Sequence, residues 1–242
     1  MMKSLLFVLI SLVSGAISGV VLAGMNLIVV EPFIDKAIGL ETSKAVAAGE
    51  NVDISEQNSY RVWQKSGSFI AGSILGMAFG SLLGIVYVFG RSYLPFSGDI
   101  KRAVFLSLII CLALFVIPFL KYPGNPPAVG NPDTIYVRES LYLGFLAVSA
   151  VSALGLGVLF YRFRGVPHIR IIIPLVYAVI MSSAFALFPP NPDKITIPMD
   201  LVSSFRIASG LTMVGFWVVL GVVFGLLWYR FRPHELSRKA AI

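Results

Sequence analysis

Three oxygen-bearing side chains near the end of the first apolar segment are the best candidates for chemistry in this sequence. Asn26 lies inside that segment, Glu31 ends it, and Asp35 follows one helical turn later if the helix continues past Pro32. Amide and carboxylate oxygens suit hard or borderline divalent cations. These residues therefore predict a cation site. The alternative is that both acids simply reach water at the helix end.

Enzymatic chemistry has no signature in this sequence. The zinc-protease, nucleophile-elbow, P-loop and dinucleotide-binding patterns are all missing. His168 and His234 each neighbour a proline, and we interpret them as solvated loop residues rather than a metal pair. The single cysteine, Cys111, lies in an apolar run, which excludes a disulfide framework and a cysteine metal site. We expect neither an enzyme nor a resident cofactor.

Two proline-rich turns are the second unusual feature. KYPGNPPAVGNPDTIYVRES occupies residues 121–140, and the shorter LFPPNPDKITIP occupies residues 187–198. Proline stops a helix because it lacks a backbone donor, and asparagine or aspartate caps the backbone that follows. The turns are either rigid connections or the lining of an outer mouth. The residues proposed to shape that mouth are Asn125, Pro126, Pro127, Arg138, Asn191, Pro192 and Arg206.

The two arginines that follow these turns have two interpretations. Arg138 and Arg206 open corresponding apolar helices on the same side of the molecule. They could pair with Glu31 and Asp35, or extend outward into water.

The elements that must position these residues are membrane helices. The chain has 242 residues, of which 57% are hydrophobic and only 13% charged, whereas a soluble domain has about 25% charged residues. Long continuous apolar runs predict helices, because a helix satisfies its own backbone in lipid. The fold class is therefore all-α, a single membrane domain of six helices. The predicted spans are Leu5–Val30, Ser66–Gly90, Ala103–Leu120, Ser140–Tyr161, Ile171–Phe188 and Ile207–Tyr229.

The charged residues predict the orientation of this bundle. One side collects two acids, Asp99 and Glu235, and eleven basic residues: Lys3, Arg91, Lys101, Arg102, Arg162, Arg164, Arg170, Arg230, Arg232, Arg238 and Lys239. The other side carries ten acids and eight basic residues. Basic loops stay in the cytoplasm, so both termini are predicted to be cytoplasmic, in the cell membrane. The net charge of +7 therefore indicates topology rather than a nucleic-acid partner.

The N-terminal segment has a second interpretation. Met-Met-Lys followed by an apolar run resembles a signal peptide, with a cleavage site near Ala23. The apolar run is longer than the usual core of such a peptide. We therefore expect the first helix to be retained.

An internal repeat predicts three hairpins. Shifting the chain by 68 residues places Arg138 on Arg206 and the YRFR motif of residues 161–164 on that of residues 229–232. The predicted hairpins are residues 1–91 with a long outer loop at 31–65, residues 102–165, and residues 169–233. The outer loop is polar and net acidic. We expect it to be a disordered or short amphipathic connector; the alternative is that it concentrates cations.

Small residues predict close helix packing. The segment AGSILGMAFGSLLG places Gly72, Gly76, Gly80 and Gly84 four residues apart, on one helix face. Such a stripe admits a second helix from the same chain or from a partner.

Three features together resemble the CbtA family of predicted cobalt transporter subunits. They are AISGVVLAGMNLIVVEPFI near the N-terminus, the first proline turn with Pro126, Pro127 and Arg138, and the paired-helix layout. The resemblance implies cobalt uptake linked to cobalamin supply, and a small histidine-rich single-span companion. The family is usually described with five spans, whereas this sequence predicts six. It also lacks a histidine at membrane depth.

The leading prediction is a transport subunit for a divalent metal cation, with cobalt(II) as cargo. The alternative is a non-catalytic accessory subunit of a larger membrane complex, held by its small-residue stripes. Charged residues are missing from the middle of every predicted span, which favours the alternative, because ion paths usually carry such a residue.

Overall fold

The computed structural model describes residues 4–233 of the chain. Five charged or titratable residues used to predict topology and histidine roles lie outside this range: Lys3, His234, Glu235, Arg238 and Lys239. Within it, the fold is helical throughout. The α-helices are α1 (Ser4–Val29), α2 (Glu31–Ala47), α3 (Ile54–Gly90), α4 (Asp99–Cys111), α5 (Ile117–Lys121), α6 (Ile135–Arg162), α7 (Ile169–Leu187) and α8 (Met199–Phe231).

The prediction of six membrane-length helices is confirmed. By length and composition, six segments of the described chain can cross a membrane: Ser4–Val29, Ile54–Tyr93, Asp99–Lys121, Pro132–Arg162, Ile169–Leu187 and Met199–Phe231. We call the end that carries residues 31–65 and both proline turns the turn end. The opposite end, with residues 91–102, 162–170 and 228–233, is the arginine end. The charge distribution predicts that the arginine end faces the cytoplasm.

The polar segment 31–65 is the main difference from the expected secondary structure. We predicted a disordered or short amphipathic connector, but the segment is mostly helical. Pro32 lies in the first turn of α2, where a missing backbone donor costs little. Asp53 caps α3, because its side chain accepts hydrogen bonds from the backbone N–H of Ser55 and Glu56. At 37 residues, α3 is about 55 Å long and extends beyond the roughly 30 Å hydrocarbon layer.

Helices α1, α3, α4 and α8 form the core of the molecule. The glycine stripe of α3 packs against Ser11, Gly15 and Gly19 of α1. A Cβ atom added at Gly76 would overlap the backbone carbonyl of Gly15, so only glycine permits this approach. Across the core, the Ser107 hydroxyl of α4 donates to the Trp217 carbonyl of α8 at 2.6 Å.

Helices α6 and α7 form a separate, more peripheral pair. Only 17% and 11% of their most apolar segments are buried, against 39% for α1, α4 and α8. Their contact centres on Phe145, Met181 and Ala184, with Tyr122 from the first proline turn. By contrast, α8 packs along α4 and α1. The last span therefore packs on spans that are distant in sequence rather than on its sequence neighbour α7, and the duplication of hairpins stays a prediction.

A π-helical segment at Leu112–Val116 joins α4 to α5. In a regular helix the Ala113 carbonyl would accept from the Ile117 N–H, but that N–H bonds to Leu112. The next possible donor along the chain is Pro118, which has none. The Ser149 hydroxyl of α6 donates to the Ala113 carbonyl instead. The Ser149 oxygen also lies 2.7 Å from the Tyr177 hydroxyl of α7. Hydrogen bonds through Ser149 therefore connect the π-helical segment to both helices of the peripheral pair.

Candidate functional site

The two predicted acids lie within a compact set of four charges at the turn end. Glu31 and Asp35 are one turn apart on α2, and Arg61 and Lys65 are one turn apart on α3. The Arg61 Nη2 atom contacts Glu31 Oε2 closely and lies 3.0 Å from Asp35 Oδ1. The Lys65 Nζ atom lies 2.8 Å from Asp35 Oδ2 and 3.7 Å from Glu31 Oε2. We call these residues the acid–base quartet.

The quartet balances its own charge. The Glu31 and Arg61 side chains are 17% and 14% exposed, whereas Asp35 is 49% exposed. Burial raises the pKa of the Asp35 carboxyl, but the hydrogen bonds and positive charges of Lys65 and Arg61 together outweigh that effect and lower its pKa overall. Asp35 is therefore ionised at neutral pH, and any cation that binds these oxygens competes with two resident basic groups.

Asn26 is not drawn into this set. It lies one turn before the end of α1 and is partly buried. Its backbone carbonyl accepts from the Val30 N–H at 2.9 Å. Among residues 4–233, the Asn26 side chain has no hydrogen bond to the quartet. The structure thus brings together two of the three predicted oxygen ligands and adds Arg61 and Lys65.

Sequence analysis missed the roles of Arg61 and Lys65, although a signal was present. Glu31 and Asp35 are four residues apart, and so are Arg61 and Lys65. Residues four apart share a helix face, so two such pairs of opposite charge could have indicated a paired interface. The signal was hidden because the intervening segment was expected to be a connector.

A cavity of about 740 Å³ lies beside the quartet. Glu31, Arg61 and Gln64 contribute its polar lining, and Trp63 contributes an aromatic wall. Pro127 of the first proline turn lines the same cavity. Glu31 of α2 and one of the predicted mouth residues, Pro127, therefore line the same cavity.

The proline turns are joined by reciprocal contacts with the two arginines. Arg138 of α6 forms an ion pair with Asp193 of the second turn, with 2.8 Å between Nε and Oδ2. Arg206 of α8 donates from Nη2 to Asn125 Oδ1 of the first turn at 2.6 Å. Each arginine therefore contacts the turn that precedes the other arginine's helix. We expected Arg138 and Arg206 to pair with Glu31 and Asp35 or to extend into water. The structure shows neither arrangement.

Asp193 is a nearly buried acid in these two proline turns, which we call the cross-braced turns. Its side chain is 4% exposed, and the Thr134 hydroxyl donates to Oδ1 at 2.6 Å. Gly130 has a φ of 116°, and a Cβ atom there would lie 2.5 Å from Arg138 Nη1. The pair thus requires glycine at position 130. Sequence analysis counted Asp193 only as one of the outer acids.

A repeated tripeptide shapes both turns and could have revealed this arrangement. Asn131-Pro132-Asp133 and Asn191-Pro192-Asp193 have the same local geometry. In each, the asparagine Oδ1 accepts the backbone N–H of the aspartate at 3.0 Å. This contact is the self-capping turn typical of asparagine. Asp133 stays exposed to solvent, whereas Asp193 turns inward to Arg138.

A second cavity of about 530 Å³ lies between α5, α6 and the first turn. Its polar lining includes Asn125, Arg138, Glu139 and Asn191, and its aromatic lining includes Phe119. At its rim the Tyr122 hydroxyl donates to the Pro189 carbonyl at 2.6 Å, and burial raises the pKa of Tyr122. Residues of both cross-braced turns and the acid Glu139 therefore line an aromatic-walled cavity.

The remaining candidates do not add a metal centre to this end. In the part of the chain that the structure describes, no group of three or more His, Cys, Asp or Glu residues could hold a metal ion. The glycine stripe lies against α1 and lines neither cavity. His168 adopts a left-handed conformation just before α7, and Cys111 is buried in the core.

Fold and site together define a multi-pass helical membrane protein with charged residues at both ends and its paired acids at the turn end. A family model described as probable cobalt transporter subunit (CbtA) matches residues 5–229. The chain therefore belongs to the CbtA family. No curated protein and no solved structure matches it.

Proposed function

We propose that this chain is the multi-span subunit of a transporter for a divalent cation, with cobalt(II) as its cargo. The observation that carries the proposal is the family match, because it extends over residues 5–229 and so includes all six membrane-length helices. The family name describes a transport subunit rather than an enzyme class. We place the subunit in the cell membrane, with other membrane proteins as its partners.

In this proposal the turn end receives the cation. Asp35 is the most exposed acid of the quartet and makes the first contact, while Glu31 and Asn26 offer further oxygens. Cobalt(II) binds such oxygens modestly, and magnesium competes for them. Arg61 and Lys65 occupy the same carboxylates, so cation binding displaces them. This competition weakens binding, and a transporter benefits because it must also release its cargo.

The proposal is tested by cobalt uptake in cells that lack their own copy of this chain. Glu31→Gln and Asp35→Asn remove the charges while keeping the shapes, so we expect uptake to fall several-fold. Glu41→Gln is the matched control, because Glu41 is an exposed acid on the same helix, and it should transport like the wild type.

Two outcomes separate the parts of this proposal. If the wild-type chain and its companions restore no cobalt uptake, the transport function is wrong. If the wild type transports cobalt and both variants match it, the function stands and the quartet is not the cation site.

The accessory-subunit function remains a second candidate because one observation favours it. The α6–α7 pair leaves most of its apolar surface exposed. Gly155 and Gly157 of α6 each have open space where a side chain would be. They lie on different faces of the helix, and a partner helix could approach closely at either.

A further inference from the structure

The exposed charge at the arginine end is not balanced by acids. Asp99 is the only acid at this end among residues 4–233, and its side chain is 15% exposed. It accepts a hydrogen bond from the Tyr87 hydroxyl at 2.8 Å and lies 3.6 Å from Arg91. Its charge is therefore already neutralised within the protein. The exposed basic residues at the same end include Lys101, Arg162, Arg164, Arg170 and Arg230.

One of these arginines is held in place by aromatic rings. The Arg164 guanidinium lies 4.9 Å from the centre of the Tyr93 ring and 5.6 Å from that of Tyr161. The two tyrosine rings meet edge to face at 5.1 Å. This contact joins the 3-10 turn that follows α3 to the end of α6, and we call it the tyrosine junction. Stacking positions the guanidinium without using its hydrogen-bond donors.

The repeated YRFR motif gives the same local geometry at α8. Arg232 lies over the Tyr229 ring at 5.5 Å, as Arg164 lies over Tyr161. In each copy the second arginine folds back over the tyrosine three residues earlier. The fold-back is thus a property of the motif, whereas Tyr93 is present only at the α3–α6 contact.

Exposed apolar side chains continue from the tyrosine junction towards the middle of the membrane. Phe89 of α3 is 76% exposed, and Val158 and Leu154 of α6 are 67% and 61% exposed. Leu154 lies seven residues before Tyr161, or about 10 Å along the helix. A ligand that covers this surface needs an apolar tail of at least that length and an anionic head.

We propose that the tyrosine junction binds an anionic phospholipid. Arg164 and Arg162 hold the phosphate, since a guanidinium matches phosphate oxygens with paired hydrogen bonds. The acyl chains cover Phe89, Val158 and Leu154. The predicted orientation places this end in the cytoplasmic leaflet, where anionic lipids attract basic side chains. The proposal does not depend on the transport function.

The test uses the purified full-length chain in mild detergent, with phosphatidylglycerol and phosphatidylcholine of identical acyl chains as probes. We expect phosphatidylglycerol to bind more tightly and to raise the unfolding temperature. The Arg162→Gln/Arg164→Gln variant should bind it about 30-fold more weakly, from roughly 1 kcal/mol per basic residue at an anionic lipid surface. Lys36→Gln/Lys194→Gln removes two exposed charges at the turn end and should bind like the wild type.

Several results would overturn the proposal. One is equal binding of the two lipids by the wild type, and another is an equal loss in both double variants. If glycerol phosphate without acyl chains binds as tightly as the lipid, the site recognises a free anion. If an acidic peptide binds and neither lipid does, the surface docks a protein. If the double variant fails to fold, Arg162→Gln alone replaces it, because this change leaves the stacked Arg164 in place. Unchanged lipid binding by that single variant would then overturn the proposal.

Discussion

At the scale of single residues, the charged groups of the turn end work in pairs. Each predicted acid of α2 contacts a basic residue of α3, and each predicted mouth arginine contacts the opposite proline turn. Paired charges can remain close to a membrane that would expel an isolated one. Asp193 is the clearest case, because a carboxylate that is 4% exposed persists only with partners such as Arg138 and Thr134.

Removal of the Asp193 charge should therefore destabilise the protein. Asp193→Asn leaves Arg138 part-buried without its counter-ion, and we expect a loss of about 2 kcal/mol. That loss is below the roughly 3–5 kcal/mol for a fully buried pair, because Arg138 is 25% exposed. Thermal unfolding in detergent measures the change.

The repeat supplies the control for this measurement. Asp133 occupies the same place in the first NPD sequence but is exposed, so Asp133→Asn should leave the unfolding temperature nearly unchanged. In a double-mutant cycle, Arg138→Gln with Asp193→Asn should cost less than the sum of the two single changes. Additive costs would mean that the two side chains do not interact.

At the scale of helices, the π-helical segment links the core to the peripheral pair. Pro118 in an apolar run indicates a disturbed helix from sequence alone. The sequence does not indicate which residue satisfies the displaced carbonyl, because Ser149 lies 36 residues further on. Burial of that carbonyl makes its only side-chain donor important for stability.

Ser149→Ala should leave the Ala113 carbonyl without a partner and lower stability by about 1–3 kcal/mol, the cost of a buried polar group left unpaired. Ser183→Ala is the matched control. Its hydroxyl donates to the Val179 carbonyl of its own helix, and it lies on the exposed face of α7. Equal shifts in unfolding temperature for the two variants would contradict the role given to Ser149.

At the scale of the whole molecule, the six spans divide into a closely packed core and an exposed pair. Lipid covers an exposed apolar pair as readily as a partner helix does. Purification from the native membrane in mild detergent separates these cases, with mass spectrometry to identify what is retained.

We expect the chain to be recovered with a small single-span membrane protein, as the family resemblance implies. Recovery with such a companion, or alone, agrees with the transport proposal and with lipid around α6 and α7. Stoichiometric recovery within a large enzyme complex would contradict that proposal and support the accessory role. The proline turns would then be a docking surface instead of a cation entrance.

Much of the architecture follows from the sequence because the membrane leaves few choices. Six long apolar runs must be helices, since lipid offers no partner for the backbone. The start of α3 within residues 31–65 was also readable, because Asp53 and Glu56 have the spacing of a helix start. That signal was outweighed by the polar composition of the segment.

The sequence by itself determined the class of protein, the number of spans, the family resemblance and the residue types gathered at each end. Only the tertiary structure decided which groups meet. It placed Arg61 on Glu31, Arg138 on Asp193, and α8 beside α4 rather than α7. Hydropathy and helix capping depend only on residues close together in the sequence, so each segment can be assigned without the others. The pairing of side chains tens of residues apart depends on how close the backbones come, and glycine contacts such as that of Gly76 with Gly15 set that distance.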